Sequence, residues 1–347
     1  MSNRVSPVLI AIAFALCLPR GLGAEAGKGT AMHVIELHEK VLCPDDGLLL
    51  GNGDLSVSVY QTADRIIWRF GKNDVWDRRL DLSDDPKPAH ISEIARGIRD
   101  EGWKCGPYGD GAIVATRGTK DPQRMKELCG GAPPSYKHRP YPCPKPVGEL
   151  AMQLPADQMG LRIEQRLVIE EATLYITCAY SSGVRIAIEC FIPPSPNALV
   201  VRWKVENWNE RTRTGHSLPP VWFSLYRWPD PTIQAFAERF SGDYRHDAFR
   251  TQCDPKATPL PPPTVQQDGG LVFIEQTFPP DPLFKDGFRY VMAPFAPDIA
   301  VGKVDMPTTN EARLHLMPNK EATEGCLAVA VTTSSDRGGA RQELTRV

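Results

Sequence analysis

Residues 162–207 read RIEQRLVIEEATLYITCAYSSGVRIAIECFIPPSPNALVVRWKVEN, and the period of their apolar residues decides the fold. Ile163, Leu167 and Ile169 are followed by Leu174, Ile176 and Cys178, by Val184, Ile186 and Ile188, and by Leu199, Val201, Trp203 and Val205. Successive side chains of a strand point to opposite faces, so this spacing of two gives each segment one covered and one open face. The connections are short, as at SSG in residues 181–183. Parallel neighbours need crossovers of about a dozen residues or more, so the block is expected to be an antiparallel meander. Leu150, Met152 and Leu154 carry the same period just before it and are expected to form its first strand.

The pattern extends in both directions. Leu55, Val57 and Val59, then Ile66, Trp68 and Phe70, form a hairpin around the turn QTADR. Further strands are expected within residues 221–226, 271–278, 288–292, 312–316 and 326–332. About eleven or twelve strands are too many for one open sheet and call for two stacked ones. The expected class is therefore mostly β, an antiparallel two-sheet sandwich with a few short helical insertions. Ile91, Ile94, Ala95 and Ile98 fit one helical face, and Asp230-Pro231 supplies an N-cap and first-turn residue for a second helix carrying Ile233, Phe236 and Phe240. Two proline-rich stretches, residues 130–146 and 253–270, are expected to be loops.

Forty basic residues against 42 acidic ones give a net charge of -2, which creates no field for polyanions and argues against a nucleic-acid partner. Residues 1–26 have the layout of a secretory signal peptide: Arg4, an apolar run at residues 8–18, and Ala24-Glu25-Ala26 at cleavage spacing. A spanning helix needs about 20 apolar residues, so no membrane association is expected after cleavage, and the chain is expected to be secreted or periplasmic. Removing Cys17 leaves eight of the nine cysteines, an even number that permits disulfides, although buried free thiols fit equally well. The histidines are scattered, with His33 and His38 five apart, and no CxxC occurs, so neither a metal site nor a cofactor is expected.

Two turns frame the opening hairpin, GNGD at residues 51–54 and GKND at residues 71–74. Asn52 and Asp54 have short side chains that bond nearby amides. Lys72, Asn73, Asp74, Trp76 and Asp77 place a donor, an amide, two carboxylates and an aromatic face within GKNDVWD. Saccharides need that mixture, polar groups for hydroxyls and a ring for the C–H face, so these seven residues are the candidate carbohydrate-binding set. With Gly71 ending the strand, Lys72 to Trp76 are expected on a loop that is at least partly accessible. A tight structural turn and a core Trp76 are the plainer reading of the same residues. Tyr136, Lys137, His138, Arg139 and Tyr141 form a second, proline-stiffened candidate lip.

The order GLLLGNGDLSVSVY, RIIWRFGKNDVWD, GELAMQL and then the long strand block resembles the N-terminal domain of glycoside hydrolase family 95 and its relatives, in particular a branch carrying the GKNDxWD form. The resemblance covers roughly residues 33–335 and implies a galactose-mutarotase-like supersandwich that packs on a catalytic (α/α)6-barrel domain in the same or a neighbouring chain. Residues 336–347 are then expected to be a tail or the start of a linker. The family's catalytic acid and base lie in the barrel, so none is carried over to this sequence, and the implied role is that of an accessory domain lining a sugar site. A stand-alone carbohydrate-binding module is the alternative. A small glycosidase using Asp74 and Asp77 is a third possibility, since hydrolysis needs two carboxyl groups flanking one bond.

Overall fold

The computed structural model describes residues 33–78, 91–101, 104–105, 113–114, 143–155, 159–208, 220–227, 260–268, 271–296, 299–308, 311–319 and 321–337. In chain order the strands are β1 (Val34–Leu37), β2 (Leu48–Gly51), β3 (Leu55–Gln61), β4 (Arg65–Lys72), β5 (Trp76–Asp77), β6 (Lys104–Cys105), β7 (Ile113–Val114), β8 (Cys143–Pro144), β9 (Gly148–Gln153) and β10 (Arg162–Val168). They continue as β11 (Thr173–Ala179), β12 (Arg185–Phe191), β13 (Ala198–Glu206), β14 (Trp222–Arg227), β15 (Thr264–Asp268), β16 (Leu271–Thr277), β17 (Arg289–Phe295), β18 (Ile299–Thr308), β19 (Glu311–Pro318) and β20 (Glu324–Thr333). One α-helix, α1 (Ile91–Glu101), is present among the described residues.

The chain divides into two compact units. The first comprises residues 1–77, 144–230 and 260–347 and is a β-sandwich of two antiparallel sheets. One sheet has nine strands in the order β1-β10-β11-β12-β13-β20-β17-β16-β15, and the other has seven in the order β18-β19-β14-β9-β4-β3-β2. The second unit comprises residues 78–143 and 231–259; its described part contains α1 and the antiparallel pair β6 and β7. Ile98 of α1 is exposed.

The meander β10 to β13 forms by the alternation read above: Ile163, Leu174, Ile176, Ile186, Ile188, Leu199 and Val201 are all buried. Facing them from the seven-stranded sheet are Val57, Trp68, Leu150, Phe223 and Leu314, all in one hydrophobic cluster with the meander residues. Trp203 meets Phe223 edge-on at 4.9 Å between ring centroids. Within this core the fully buried Arg227 donates from Nε to the Tyr290 hydroxyl at 2.8 Å, and that hydroxyl donates to the Val147 carbonyl at 2.6 Å.

Three expectations need correcting, and one strand carries no readable period. β9 is not the first strand of the meander; it pairs with β4 and β14 in the other sheet. Pro155, which has no N–H to extend a ladder, follows it closely, and the chain has changed sheets by β10. The stretch expected as loop 253–270 contains β15, an edge strand whose polar TVQQD carries no apolar period. β18 was also not legible, because its pairing with β19 shifts register twice, and each bulge breaks the count of two. β4 does not end at Gly71 but runs through Lys72, which pairs with Leu55.

Three expectations fall outside the described residues: the signal peptide, the second helix and the lip at residues 136–141. No helix among the described residues is long and apolar enough to cross a membrane. Cys178 and Cys190 are free and buried, and burial pushes both thiols up to about 12. Cys43 is also free, whereas Cys326 is disulfide-bonded.

Candidate functional site

The two turns that frame the hairpin meet. β3 and β4 are antiparallel, so GNGD before the first and GKND after the second lie at the same end. Asn52 Oδ1 accepts the N–H groups of Asp54 at 3.1 Å and Leu55 at 2.9 Å, closing the first turn. Gly53 has φ +92, a left-handed backbone that disfavours residues with a Cβ. Asn73 joins the turns: its N–H donates to the Asp54 carbonyl at 3.0 Å and its side-chain amide to the Gly53 carbonyl.

Lys72 is the centre of the cluster. Its ammonium contacts Asp54 at 3.0 Å, Asp74 at 3.0 Å and Asp336 at 3.5 Å, and its side chain is 1% exposed. The expectation of an accessible loop residue is corrected here. Ile66, Trp68 and Phe70 point into the core, and Lys72, two residues further along a strand that has not ended, points the same way. Burial on its own would lower the Lys72 pKa, but the hydrogen bonds to Asp54 and Asp74 and the charges of Asp74 and Asp336 outweigh it and raise it. Burial likewise acts to raise Asp74, yet a hydrogen bond from the Thr333 hydroxyl and the charge of Lys72 hold it below its ordinary value. Asp336 is shifted the other way, raised by burial and by the charges of Asp74 and Asp54 despite the Thr333 N–H and Lys72.

Two segments that the sequence reading did not single out complete the arrangement. Asn52 Nδ2 donates to the Pro193 carbonyl at 3.1 Å and to Asn197 Oδ1 at 3.0 Å, while Asn197 Nδ2 donates to Asp54 Oδ2 at 2.7 Å. The Thr333 N–H donates to Asp336 Oδ2 at 2.6 Å. A hollow of about 250 Å³ opens between these turns, lined by Asn52, Asp54, Pro194, Ser195, Pro196, Asn197, Thr332 and Asp336. The Ser195-Pro196 peptide is cis.

Of the seven expected residues, Asn52 and Asp54 line the hollow; Lys72 and Asp74 form the ion cluster beside it. Asn73 lies on the adjoining turn, while Trp76, expected on the loop, opens the short strand β5; its indole Nε1 donates to the Asn73 carbonyl at 2.7 Å and the residue is 37% exposed. Asp77 is fully buried. Among the described residues no group of His, Cys, Asp and Glu is set to hold a metal ion.

A second polar cluster lies on the other face of β4 and β9. Glu149 is buried and accepts the Tyr60 hydroxyl at 2.8 Å, the Arg69 Nε at 2.6 Å and the Tyr226 hydroxyl. Burial, reinforced by the Glu149 charge, raises the pKa of both phenols. The guanidinium of Arg313 lies over the Tyr226 ring at 5.2 Å. Nothing in the spacing of these residues marks them as a group, because they come from five separate strands, β3, β4, β9, β14 and β19.

No protein-family model matches the chain, and a search of curated proteins finds no related sequence.

Proposed function

We propose that this chain is the accessory β-sandwich domain of a secreted glycoside hydrolase and that it contacts saccharide at the hollow between the GNGD, residue 193–197 and residue 332–336 segments. One observation carries the reading: Asn52 and Asp54 of the first turn line, together with Asn197 and Asp336, a polar hollow of about 250 Å³. Carboxylates and amides arranged this way match the hydroxyl pairs of a sugar ring. The proline pair at its edge offers an apolar surface for C–H groups.

Hydrolysis by Asp74 and Asp77 is not what the geometry supports. A general acid must arrive protonated, whereas Asp74 is held ionised by Lys72 and Thr333, and Asp77 is sealed from solvent. The part-exposed Trp76 beside the cluster favours a second reading, a carbohydrate-binding module that acts without a barrel.

Calorimetric titration of the purified chain with neutral and amino oligosaccharides tests the proposal. Saturable binding that weakens in Asn197→Ala, with no turnover of aryl glycosides, is the expected result. Absence of binding to every saccharide would overturn it, and turnover lost on Asp74→Asn would restore the hydrolytic alternative.

A further inference from the structure

The sequence contains one Asn-Gly pair, Asn52-Gly53, in the first of the two turns. Asparagine is thermolabile, and glycine is the successor that exposes it most, since no Cβ screens the backbone nitrogen that attacks the side chain. In that reaction the Gly53 nitrogen bonds to Asn52 Cγ and the Cγ–Nδ2 bond breaks. Water carries the proton of the Gly53 N–H to the departing nitrogen, which leaves as ammonia. A second water then opens the succinimide ring at either carbonyl, giving aspartate or isoaspartate. Gly53 is exposed, and a Cβ built on it would meet nothing within 4 Å, so water reaches the turn.

The side chain is nevertheless held away from this chemistry. An asparagine amide offers two acceptor positions and two donors, and all four are filled here. Oδ1 accepts the Asp54 N–H at 3.1 Å and the Leu55 N–H at 2.9 Å, while Nδ2 donates to the Pro193 carbonyl at 3.1 Å and to Asn197 Oδ1 at 3.0 Å. Turning Cγ towards the Gly53 nitrogen breaks these bonds. Both acceptors of Nδ2 belong to residues 193–197, and Asn197 is itself tied to Asp54 at 2.7 Å. Protection of the turn therefore depends on the segment across the hollow.

We propose that Asn52-Gly53 is a latent modification site, deamidating only when residues 193–197 lift away from the first turn. The product does not fit back. Oxygen in place of Nδ2 sets a carboxylate against the Pro193 carbonyl and Asn197 Oδ1, acceptor against acceptor. It also adds a negative charge beside the three carboxylates that share Lys72. Isoaspartate lengthens the backbone as well, in a turn closed by the Asn52 N–H on the Leu55 carbonyl at 3.1 Å. Each opening that reacts is thus recorded irreversibly, and the modified chain loses the turn that lines the hollow.

Peptide mapping by mass spectrometry of the purified chain, held at mildly alkaline pH, measures conversion at Asn52 against a free peptide of residues 48–57. Chemistry that needs local opening follows the population of the open form. Four hydrogen bonds predict conversion in the folded chain on the order of a hundredfold slower than in the peptide. Asn197→Ala is expected to accelerate it by about tenfold, and denaturant below the unfolding midpoint is expected to accelerate it in the wild type. Conversion as fast as in the peptide, or an unchanged rate in a folded Asn197→Ala chain, would overturn the proposal. If that variant does not fold, the wild-type denaturant series decides: acceleration ahead of global unfolding supports the clamp, and a rate that rises only with the globally unfolded fraction rejects it. Asn52→Asp, the product with an unaltered backbone, is expected to melt below the wild type. An equal melting temperature would reject the mismatch between product and cluster.

Discussion

Around Lys72, three carboxylates share one ammonium beside an open hollow, whereas around Glu149 one carboxylate is closed in by two hydroxyls and a guanidinium. Both clusters put charge into the sandwich, and both bind strands together. The difference lies in what remains. The Glu149 carboxylate is 2% exposed and fully surrounded by donors, which is the condition for a buried charge to act as structure. The Lys72 cluster keeps acceptors facing solvent at Asp54 and Asp336, and unspent hydrogen-bonding capacity in a concave place marks a binding site.

The largest expected effect separates the clusters by stability. Lys72→Met leaves three neighbouring carboxylates without their cation, and removing one partner of a buried ion group costs about 3–5 kcal/mol. Glu149→Gln keeps an acceptor for the tyrosines and should cost about 1–3 kcal/mol, without touching saccharide binding. Denaturant unfolding of both variants measures the difference. A Lys72→Met cost no larger than that of Glu149→Gln would break the comparison.

Stability against pH sharpens it further. Asp74 has a folded pKa below its ordinary value, so its contribution is complete above the unfolded value and is lost as the pH falls through the folded one. Asp336 is raised and has the opposite sign: its contribution is lost as the pH rises through its folded pKa and is recovered on acidification. Unfolding free energy measured from pH 6 downwards should therefore hold or rise slightly before it falls. Asp74→Asn should flatten the fall, and Asp336→Asn should remove the preceding rise. An unchanged profile in both variants would show that the cluster does not govern the acid limb.

Smallest of all is Trp76→Ala. The indole makes one hydrogen bond to Asn73 and is part-exposed, so a loss of about 0.5–1.5 kcal/mol is expected by thermal melting. A loss of several kcal/mol would make GKNDVWD a structural clasp rather than a rim.

How much of this was legible in the sequence follows from one count. The meander and the opening hairpin could be read because Leu55, Val57 and Val59 in β3 and Leu174, Ile176 and Cys178 in β11 keep a period of two and are all buried. The same alternation, carried one step past the apolar run, also locates the cluster: Leu48 and Leu50 lead to Asn52, Ile66, Trp68 and Phe70 to Lys72, and Leu327, Val329 and Val331 to Thr333. Read backwards from Leu199 it reaches Asn197. Gly71 hides Lys72, because a glycine at that position reads as the end of a strand that in fact runs one residue further. Asp336 could not be read, since its place depends on pairing β20 with β13 and β17 across long separations. The Glu149 group was hidden for the same reason, its members meeting only through the register of β3, β4, β9 and β14.

The central claim is that saccharide binds where acceptors are left over and not where they are satisfied. Side-chain ¹⁵N spectra of the chain during titration with the neutral and amino oligosaccharides test it most directly, because the amides of Asn52 and Asn197 and the Nε–H of Arg69 report the two clusters separately. Saturable shifts at Asn52, Asn197 and the Gly53 backbone amide, with Arg69 unmoved, are the predicted result. Shifts confined to Arg69, or none at the hollow at saturating ligand, would contradict the account.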